Sequence, residues 1–551
     1  MSDRVRQIKD PIYGYIYLPD DYVQGVVDTP EFQRLRKISQ TSYEALYPSA
    51  THNRFAHSLG VFHLGSIVAE AIQKCSLSLF GLHDSQQAKY AEYLTAYRKA
   101  CLLHDVGHAP LSHTSEDFYI TKLGRNHFHE EIAQLTGDDK FLVDAKSAAP
   151  HELMSVLVAL HRFGDFIGDA RKQAFFARAI TGYLYNKKYE RDCNDDGVSY
   201  SFLNALISLL NSKVIDVDRL DYLIRDAFQT GFETVNIDHK RLLKAVRIRK
   251  YDGVYERVFS KDALSVLENA VYAHDAEKKW VQTHLSIRYE GYLLENAIRA
   301  LLSHDDFAKV DVFCEQSLSV TGAELPIASA PDGDGRTRHC RIRLMSDGDI
   351  MFLLKNSKSD FASEYFSRGM RKHPLWKTEH EYKAYFEEEQ WHKFFKTISS
   401  YDSASAKSRI NEGLLENCSA DVESKRHALE NASDKDRERC QDQLSAANRM
   451  LKWVEAFKSF AEVVDVAFDF VLLQREPFAS GFNRGEFAKL KIEVPGTDRT
   501  VAFKDATEVL FCGDGNENPL SDETYYLFMQ KPAVGAIEAI KKFKSMFRDL
   551  I

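Results

Sequence analysis

Two long segments without proline constrain the fold of this chain more than any other feature. No proline occurs from His151 to Leu325 or from Leu375 to Glu476. Within both segments apolar residues recur at spacings of three and four, as in LNALISLL and YLLENAIRALL. That spacing places apolar side chains on one face of an α-helix. We therefore predict a mainly α protein.

Three stretches depart from the helical pattern. Near the N-terminus, KDPIYGYIYLPDD alternates β-branched and aromatic residues between turn signals, which predicts small β elements. Residues 321–340, TGAELPIASAPDGDGRTRHC, are rich in Pro, Gly and Asp and are predicted to form a loop. After Pro477, the segments FAKLKIEVPGTDRTVAFKDATEVLF and TYYLFMQK predict strands and turns of an α+β C-terminal region.

Composition narrows the classes of function. The formal net charge of −9 argues against a general duplex-binding surface, although it permits a local basic cleft for phosphates. The sequence begins without an apolar signal region, and we expect no apolar stretch as long as the roughly 18 residues of a membrane span. We therefore expect a cytoplasmic protein with no membrane partner. The eight cysteines include no C-x-x-C pair, so neither a zinc ribbon nor a disulfide framework is indicated.

Titratable residues concentrate in RKACLLHDVGHAPLSHTSEDF, residues 98–118. His104 and Asp105 end an apolar run there and supply mixed nitrogen and oxygen ligands, which suit a divalent transition metal. Upstream, His57 stands at the head of an amphipathic helix. Downstream, VIDVDRLDYLIRDAF predicts a helix with a polar face made of Asp218, Tyr222, Arg225 and Asp226. An acid, a phenol, a cation and a second acid on one face would suit a metal-bound phosphate ester.

The order of these residues resembles the H…HD…D signature of the HD superfamily of metal-dependent phosphohydrolases. The longer motifs KDPIYGYIYL, DTPEFQRLRKISQ, HNRFAHSLGV, LLHDVGHAPLSH and IDVDRLDYLIRD are similar to its deoxynucleoside triphosphate (dNTP) triphosphohydrolase branch. That branch includes the SAM-and-HD-domain dNTPases and the bacterial dGTP triphosphohydrolases. The likeness extends over roughly residues 5–370, more weakly over the last 75, and implies an HD-domain helical core.

The resemblance implies one divalent metal ion and a cluster of catalytic residues. The implied metal ligands are His57, His104, Asp105 and Asp218, while Mn, Fe, Mg, Co and Zn all remain open as the metal. The implied catalytic cluster contains His108, His113, Glu116 and one histidine from the start of the next helix. For that histidine we favour His151 over His129, because His151 begins a strongly amphipathic helix. With this choice, the segment of about residues 114–150 is lengthened by an insertion relative to the family pattern.

The same resemblance implies residues for substrate and for regulation. Phosphate contacts are implied for Arg54, Arg219 and Tyr222, and contacts to the 3′-hydroxyl for Gln40 and Asp226. A tyrosine that excludes ribonucleotides in relatives is replaced here by Gln282 or Ser286, so discrimination between dNTP and NTP, like base preference, stays open. An allosteric guanine nucleotide between subunits is implied by Asp28, Gln33 and Arg36. The alternative is that these three residues cap and ion-pair the start of a helix.

The expected function is hydrolysis of dNTP to deoxynucleoside and triphosphate, in dNTP pool control or antiphage defence. An activating nucleotide would imply a homo-oligomer, a tetramer or hexamer. The alternatives are an HD-type phosphodiesterase or nuclease acting on single-stranded nucleic acid, a partner that the acidic charge disfavours, and a non-catalytic nucleotide sensor. The predicted domains are the HD core (1–370), a charged helical region (371–475) and the α+β region (476–551). Opposite charges interleaved at about 400–450 predict exposed or coiled-coil-like helices.

Overall fold

The computed structural model describes residues 4–120, 124–144, 148–186, 193–232, 236–304, 311–327, 338–400, 408–475, 484–497, 499–507 and 523–551. It is 62% helical and 12% strand, which confirms the mainly α class. Small sheets lie near the N-terminus and in the C-terminal region, as the sequence predicts.

The α-helices of five or more residues are numbered in chain order. They are α1 Arg54–Cys75, α2 Asp84–Leu103, α3 Gly124–Thr136, α4 Lys140–Asp144, α5 Pro150–Ile167, α6 Ala170–Thr181, α7 Tyr200–Leu210, α8 Val217–Thr230, α9 His239–Lys244, α10 Leu264–Glu277, α11 Leu285–Leu302, α12 Asp347–Lys355, α13 Asp360–Phe366, α14 Glu379–Tyr385, α15 Glu389–Ser399, α16 Glu412–Glu430, α17 Arg437–Val464, α18 Arg484–Ala488 and α19 Ala536–Phe547. Shorter α-helical turns occur at Asp20–Tyr22, Pro30–Gln33 and Phe503–Ala506.

The strands form four small sheets. They are β1 Val5–Asp10, β2 Gly14–Pro19, β3 Val246–Tyr251, β4 Val254–Phe259, β5 Ala323–Ile327, β6 Arg338–Ile342, β7 His373–Pro374, β8 Arg409–Asn411, β9 Asp469–Arg475, β10 Lys491–Glu493, β11 Thr500–Ala502 and β12 Thr524–Met529. The sheet orders are β1-β2, β11-β10-β4-β3, β7-β12-β9-β8 and β5-β6. The β10–β4 pair is parallel and the other pairs are antiparallel.

The chain folds as two compact units. The first contains Met1–Ser359 and Ser480–Gly515, and the second contains Asp360–Ala479 and Asn516–Ile551. Part of the C-terminal region therefore returns to the first unit, where β10 pairs with β4 of the β3–β4 hairpin. The predicted boundaries at residues 370 and 475 stay a prediction.

Helix α1 lies at the centre of the first unit, against α2 and α8. Asn53 caps its start, because its side-chain oxygen accepts the backbone N–H of Ala56 at 3.1 Å. The segment Arg54–Leu79 has 26 residues and a mean hydropathy of 1.3 in its most apolar window, enough by length and composition to cross a membrane. The expectation that no stretch reaches this length is therefore wrong. However, 67% of that window is buried inside the protein, which is also typical of a core helix.

Glycine allows the HD segment to lie directly on α5. A Cβ atom at Gly107 would come within 2.4 Å of the backbone of Met154 and Ser155 in α5. Gly107 also donates its backbone N–H to Ser155 Oγ at 3.0 Å. The chain then turns through Leu111 and Ser112, whose φ values are 61° and 52°. This close approach brings the histidines after α2 against the start of α5.

The predicted loop at residues 321–340 is wrong at both of its ends. Strands β5 and β6 pair there as a hairpin, with Leu325 opposite Cys340. Residues 328–337 of this stretch lie outside the described residues.

In the second unit, the charged helices α16 and α17 pack against each other. Their buried residues are apolar, such as Leu414, Val422, Trp453 and Phe457, while most of their charged residues are exposed.

Candidate metal and phosphate site

Three side chains from three separate elements converge at one end of the site. His57 lies in the first turn of α1, His104 follows the last residue of α2, and Asp218 lies in the first turn of α8. The Nε2 atoms of the two histidines are 3.2 Å apart. Asp218 Oδ1 lies 3.0 Å from His57 Nε2 and 3.6 Å from His104 Nε2. Asp105 is the fourth predicted ligand. Its Oδ2 atom lies 3.7 Å from His57 Nε2, and its Oδ1 atom lies 3.7 Å from His104 Nε2.

The outer nitrogens of the two histidines are already hydrogen-bonded. His57 donates from Nδ1 to Asp221 Oδ2 at 2.8 Å, and His104 donates from Nδ1 to the backbone carbonyl of Cys101 at 3.0 Å. Each ring therefore turns the lone pair of its Nε2 atom toward the other ring and toward Asp218. Two lone pairs and a carboxylate at these distances leave a place for a cation. The donor set of two imidazoles and two carboxylates thus fits one divalent metal ion.

Electrostatics favours carboxylates that are charged at this site. Burial raises the pKa of Asp105, but Arg54 and the two histidines hold that pKa well below its usual range. Burial likewise raises the pKa of Asp218, which hydrogen bonds to His104 and His57 lower well below its usual value. Burial lowers the pKa of His57, while Asp218 and Asp221 raise it to about 9. The neighbouring carboxylates thus favour a positive charge at His57, supplied either by a bound proton or by a bound metal ion.

A buried ion-pair chain holds His57 from behind. Arg225 donates to both oxygens of Asp221, at 2.9 and 3.0 Å, and to Asp10 Oδ2 at 3.0 Å. The spacing predicts Arg225 on a polar face of α8 suited to a phosphate ester, but its side chain is 1% exposed and pairs with Asp221 and Asp10 instead. Gly60 leaves room for the chain, since a Cβ there would come within 1.9 Å of Asp221 Oδ1. Asp221, Arg225 and Gly60 are residues that sequence reasoning missed in this role.

A second cluster joins three histidines and a carboxylate. Glu116 accepts hydrogen bonds from His113 Nδ1 at 3.0 Å and from His151 Nδ1. The ring of His108 stacks on that of His151, with centroids 4.4 Å apart and planes inclined by 18°. His108 is fully buried, and neither of its nitrogens has a hydrogen-bond partner among the residues that the structure describes.

The charges around this second cluster distinguish it from the first. The ligand-type atoms of its four members lie within 4.8 Å of one another, which is close enough for a metal. However, Arg54 Nη2 lies 3.5 Å from His113 Nε2. Burial, Arg54 and other cationic neighbours hold the pKa of His108 well below its usual value. An additional cation is therefore disfavoured here, and the cluster suits proton transfer next to an anion.

The two candidate histidines of the sequence analysis lie in different places. His151 begins α5 as part of the second cluster, and hydrogen bonding to Glu116 raises its pKa against the lowering effect of burial. His129 lies in α3, where its Nε2 atom is 2.9 Å from the hydroxyl of Tyr183, and burial lowers its pKa. Of the two, only His151 lines the cavity described next.

A cavity of about 450 Å³ lies beside both clusters. All the substrate-binding residues that the sequence predicts line it, namely Gln40, Arg54, Arg219, Tyr222 and Asp226. Its wall also contains residues that the sequence analysis missed, namely Asn211, Asp216, His274 and Lys278. His274, Lys278 and Gln282 follow one another at a spacing of four around the end of α10, a pattern that could have revealed this wall. Arg54, Arg219 and Lys278 give the cavity three cationic groups.

Buried polar groups organise one end of the cavity. Asp226 Oδ1 lies 2.7 Å from His52 Nε2, and Gln282 donates to Glu277 at 2.9 Å. Burial and the charge of Asp226 raise the pKa of Glu277 well above its usual value, which favours the protonated form of this carboxyl. Gln40 Oε1 is buried without a hydrogen-bond partner among the described residues. That end of the cavity therefore has an unused acceptor for a hydroxyl group.

Arg54 links the cavity to the metal cluster. It donates from Nη1 to Asp105 Oδ2 at 2.8 Å, from Nε to Ser112 Oγ at 3.1 Å and from Nη2 to the backbone carbonyl of Gln40 at 3.2 Å. Arg219 is more accessible, with 25% of its side chain exposed and a contact of 3.4 Å to Asp216. Arg219 is thus the more exposed of the two guanidinium groups, since only 4% of the Arg54 side chain is exposed.

The residues predicted to bind an allosteric nucleotide lie apart from the cavity lining. Gln33 donates to the backbone carbonyl of Val27 at 2.7 Å and accepts from Arg36 Nε at 2.8 Å. The guanidinium of Arg36 also lies 3.6 Å from the ring centre of Phe55. Asp28 is 3.8 Å from Arg6. These contacts are consistent with the alternative in which the three residues order the start of a helix, and the nucleotide site stays a prediction.

Residues 54–194 match the model of the HD domain family, a match that begins at Arg54 and includes three of the four proposed metal ligands. The chain therefore carries an HD domain. Its fold resembles that of a hypothetical protein from Aquifex aeolicus, with a TM-score of 0.54 at 16% identity, covering 99% of this chain and 100% of that one. It also resembles the fold of a phosphohydrolase from Bacteroides thetaiotaomicron, with a TM-score of 0.53 at 18% identity, covering 95% and 99% of the two chains.

Sequence comparison gives relatives with a named activity. The chain is 30% identical over 262 residues to the deoxynucleoside triphosphate triphosphohydrolase SAMHD1 of Homo sapiens, covering 46% of this chain and 37% of the relative. It is 27% identical over 281 residues to the protein named as its homolog in Dictyostelium discoideum, covering 49% and 46%. It is 26% identical to an uncharacterized protein of Bacillus subtilis, over 52% of this chain and 50% of that protein. The chain thus spans about half the length, or less, of these curated relatives.

Proposed function

We propose that this protein is a metal-dependent hydrolase that converts dNTP and water to deoxynucleoside and triphosphate. One observation carries the proposal: the Nε2 atoms of His57 and His104 converge with Asp218, and Asp218 lines a cavity that is also lined by three cations and by two histidines of the histidine–glutamate cluster. A phosphate ester needs this combination of metal ligands, cations and a proton donor. The named activity of the relatives, which this chain covers in part, supports the same choice.

A divalent ion held by His57, His104, Asp105 and Asp218 would supply Lewis acidity toward a phosphoryl oxygen. Arg219 and Lys278 bind the remaining phosphate oxygens by charge-assisted hydrogen bonds. Asp226 and Gln40 hydrogen-bond the 3′-hydroxyl group of the sugar. The base has no dedicated partner in this scheme, so we make no proposal about base preference.

The histidine–glutamate cluster provides the proton for the leaving group. Glu116 holds His113 and His151 through their Nδ1–H groups, which leaves each Nε2 atom to exchange a proton. The 5′ oxygen of the deoxynucleoside leaves poorly unless it is protonated, and a histidine of this cluster protonates it. His108, neutral and buried, packs on His151 and fixes the plane of its ring.

Activation by a nucleotide at Asp28, Gln33 and Arg36, in a homo-oligomer, is part of the same proposal. It is supported by the exposure of Asp28 and Arg36 and by the ability of a guanidinium to bind phosphate. The same reaction would serve either proposed biological role, dNTP pool control or antiphage defence.

The test is product analysis by chromatography and mass spectrometry. Purified protein is incubated with manganese or magnesium and with each dNTP and NTP, alone and in pairs. Asp218→Ala removes a metal ligand, and Asp84→Ala at the exposed start of α2 is the matched control. We expect deoxynucleoside and triphosphate from the wild type and from Asp84→Ala, and neither from Asp218→Ala.

Two results would overturn the proposal. One is a metal-loaded protein that consumes no nucleotide, alone or in pairs. The other is cleavage of single-stranded nucleic acid by the same preparation without dNTP turnover, which would favour a phosphodiesterase or nuclease.

A further inference from the structure

A second cavity, of about 490 Å³, lies in the first unit and shares no lining residue with the first. It is bounded by one face of α7, by the turn and the second strand of the β3–β4 hairpin, and by the segment that joins α18 to β10. Its volume is in the usual range of roughly 300–1,000 Å³ for small-molecule sites. Part of its wall is aromatic, since the rings of Tyr185 and Tyr200 are 4.7 Å apart.

Arg257, on β4, gives this cavity a cation with an unusual set of contacts. Its Nη1 atom donates to the backbone carbonyls of Ser208 at 2.6 Å and Ile215 at 2.9 Å. Its Nε and Nη2 atoms make no hydrogen bond to any residue that the structure describes. Neither atom is among the fully buried ones that lack a partner, and Arg257 lines the cavity. Nε and Nη2 form the planar fork with which arginine binds both oxygens of a carboxylate or phosphate.

The two lysines in the wall of this cavity are paired, while the carboxylate of Asp252 in the turn between β3 and β4 is the wall's other charged group. Lys491 forms an ion pair with Glu256, and Lys489 with Glu486 at 3.0 Å. In contrast, no carboxylate among the described residues lies within 4.0 Å of Arg257. Burial lowers the pKa of Arg257 to about 10. A cation that is partly removed from water without an ion-pair partner carries a desolvation cost, which a bound anion would offset.

We propose that this cavity binds a small organic anion whose carboxylate or phosphate group lies on the Nε–Nη2 fork of Arg257. The remainder of the ligand lies along the wall formed by Tyr200 and the apolar side chains of Val214 and Leu490. The site is distinct from the first cavity, because the two share no lining residue, although Arg257 interacts electrostatically with Asp216 in the wall of the first.

Isothermal titration calorimetry on the full chain tests the proposal, with inorganic phosphate and adenosine 5′-monophosphate as probes. Arg257→Gln removes the charge. Arg257→Lys keeps a donor for the two backbone carbonyls but loses the fork, so it preserves the fold. Arg247→Lys is the matched control, because Arg247 lies on the neighbouring strand, donates to two backbone carbonyls and lies outside the cavity lining. Arg219→Gln is expected to weaken nucleotide binding at the first cavity.

We expect the wild type, Arg247→Lys and Arg219→Gln to bind adenosine 5′-monophosphate equally at this site. Arg257→Lys should weaken this binding about tenfold or more, because a charge-assisted bidentate contact is replaced by a single donor. Tighter binding of the nucleotide than of phosphate would support the aromatic wall. Absence of binding of both probes at millimolar concentration overturns the proposal, as does equal binding by a folded Arg257→Lys variant. Arg257→Lys keeps a donor for the carbonyl of Ile215, which precedes α8 and its metal ligand Asp218, and should retain metal content and dNTP turnover, so this test fails or succeeds separately from that of the hydrolase.

Discussion

Asp221→Asn tests how the protein orients its metal ligands. Asparagine has the shape of aspartate and can still accept the Nδ1–H of His57, but it lacks the charge that fixes this imidazole. Loss of a partner of this kind typically weakens metal binding about 10–100-fold. That factor corresponds to about 1.4–2.7 kcal/mol. We expect the dissociation constant for Mn²⁺ to rise by this factor.

The substitution also affects stability, for a reason visible in the structure. Arg225 loses the charge, and one of the two accepting oxygens, of a partner to which it donates at 2.9 and 3.0 Å, and Asp10 at 3.0 Å becomes its remaining carboxylate among the described residues. Removal of one partner from a buried ion pair costs about 3–5 kcal/mol. Metal affinity must therefore be measured on folded protein, below the temperature at which the variant begins to unfold.

Asp10→Asn is the matched control for Asp221→Asn. It removes one negative charge from the same ion-pair chain, but Asp10 contacts Arg225 and the backbone N–H groups of Ile12 and Tyr13, at 2.8 and 2.9 Å, and not His57. We expect lower stability with nearly unchanged Mn²⁺ affinity, measured by competition with a fluorescent chelator. The reasoning is refuted if Asp221→Asn binds Mn²⁺ as the wild type does, or if Asp10→Asn loses as much affinity as Asp221→Asn.

Three further predictions follow from single contacts. Gly60→Ala would place a Cβ within 1.9 Å of a buried carboxylate oxygen and should lower the free energy of unfolding in urea by about 1–3 kcal/mol or more. Gly291→Ala, with open space around the glycine, should raise it by about 0.4–1 kcal/mol. Equal effects of the two substitutions would contradict the argument. His151→Gln should lower kcat for dNTP hydrolysis about 10²–10⁴-fold, while His129→Gln should leave kcat close to that of the wild type, and the reverse order would assign the role to His129. Burial raises the pKa of Asp469, but its cationic neighbours lower it below the usual value, so its contribution to stability is present above an unfolded-state pKa of about 3.9 and is lost as the pH falls through the folded pKa. Asp469→Asn should therefore flatten the loss of stability between about pH 5 and pH 3, and an unchanged pH profile would argue against it.

Local sequence patterns predicted some features of this protein well and others poorly. Helices are recognisable because the contacts that create their periodicity are three or four residues apart. The β5–β6 hairpin was missed because Leu325 and Cys340 pair across 15 positions through a segment whose Pro and Gly content indicates only a turn. Arg225 shows the same limit within one helix. Its spacing fits the polar face of α8, yet the ion pairs with Asp221 and Asp10 bury it.

The sequence alone determined the mainly α class, the nature of the ligands and the order in which they occur. Only the tertiary structure decided which of them meet. His57 and Asp218 are separated by 161 positions and come within 3.0 Å because α1 and α8 pack together, with Gly60 of α1 at their contact. The same packing brings His151 to Glu116 and leaves His129 beside Tyr183. A sequence motif shows which side chains are present. The distances on which their chemistry depends come from packing between elements far apart in the chain.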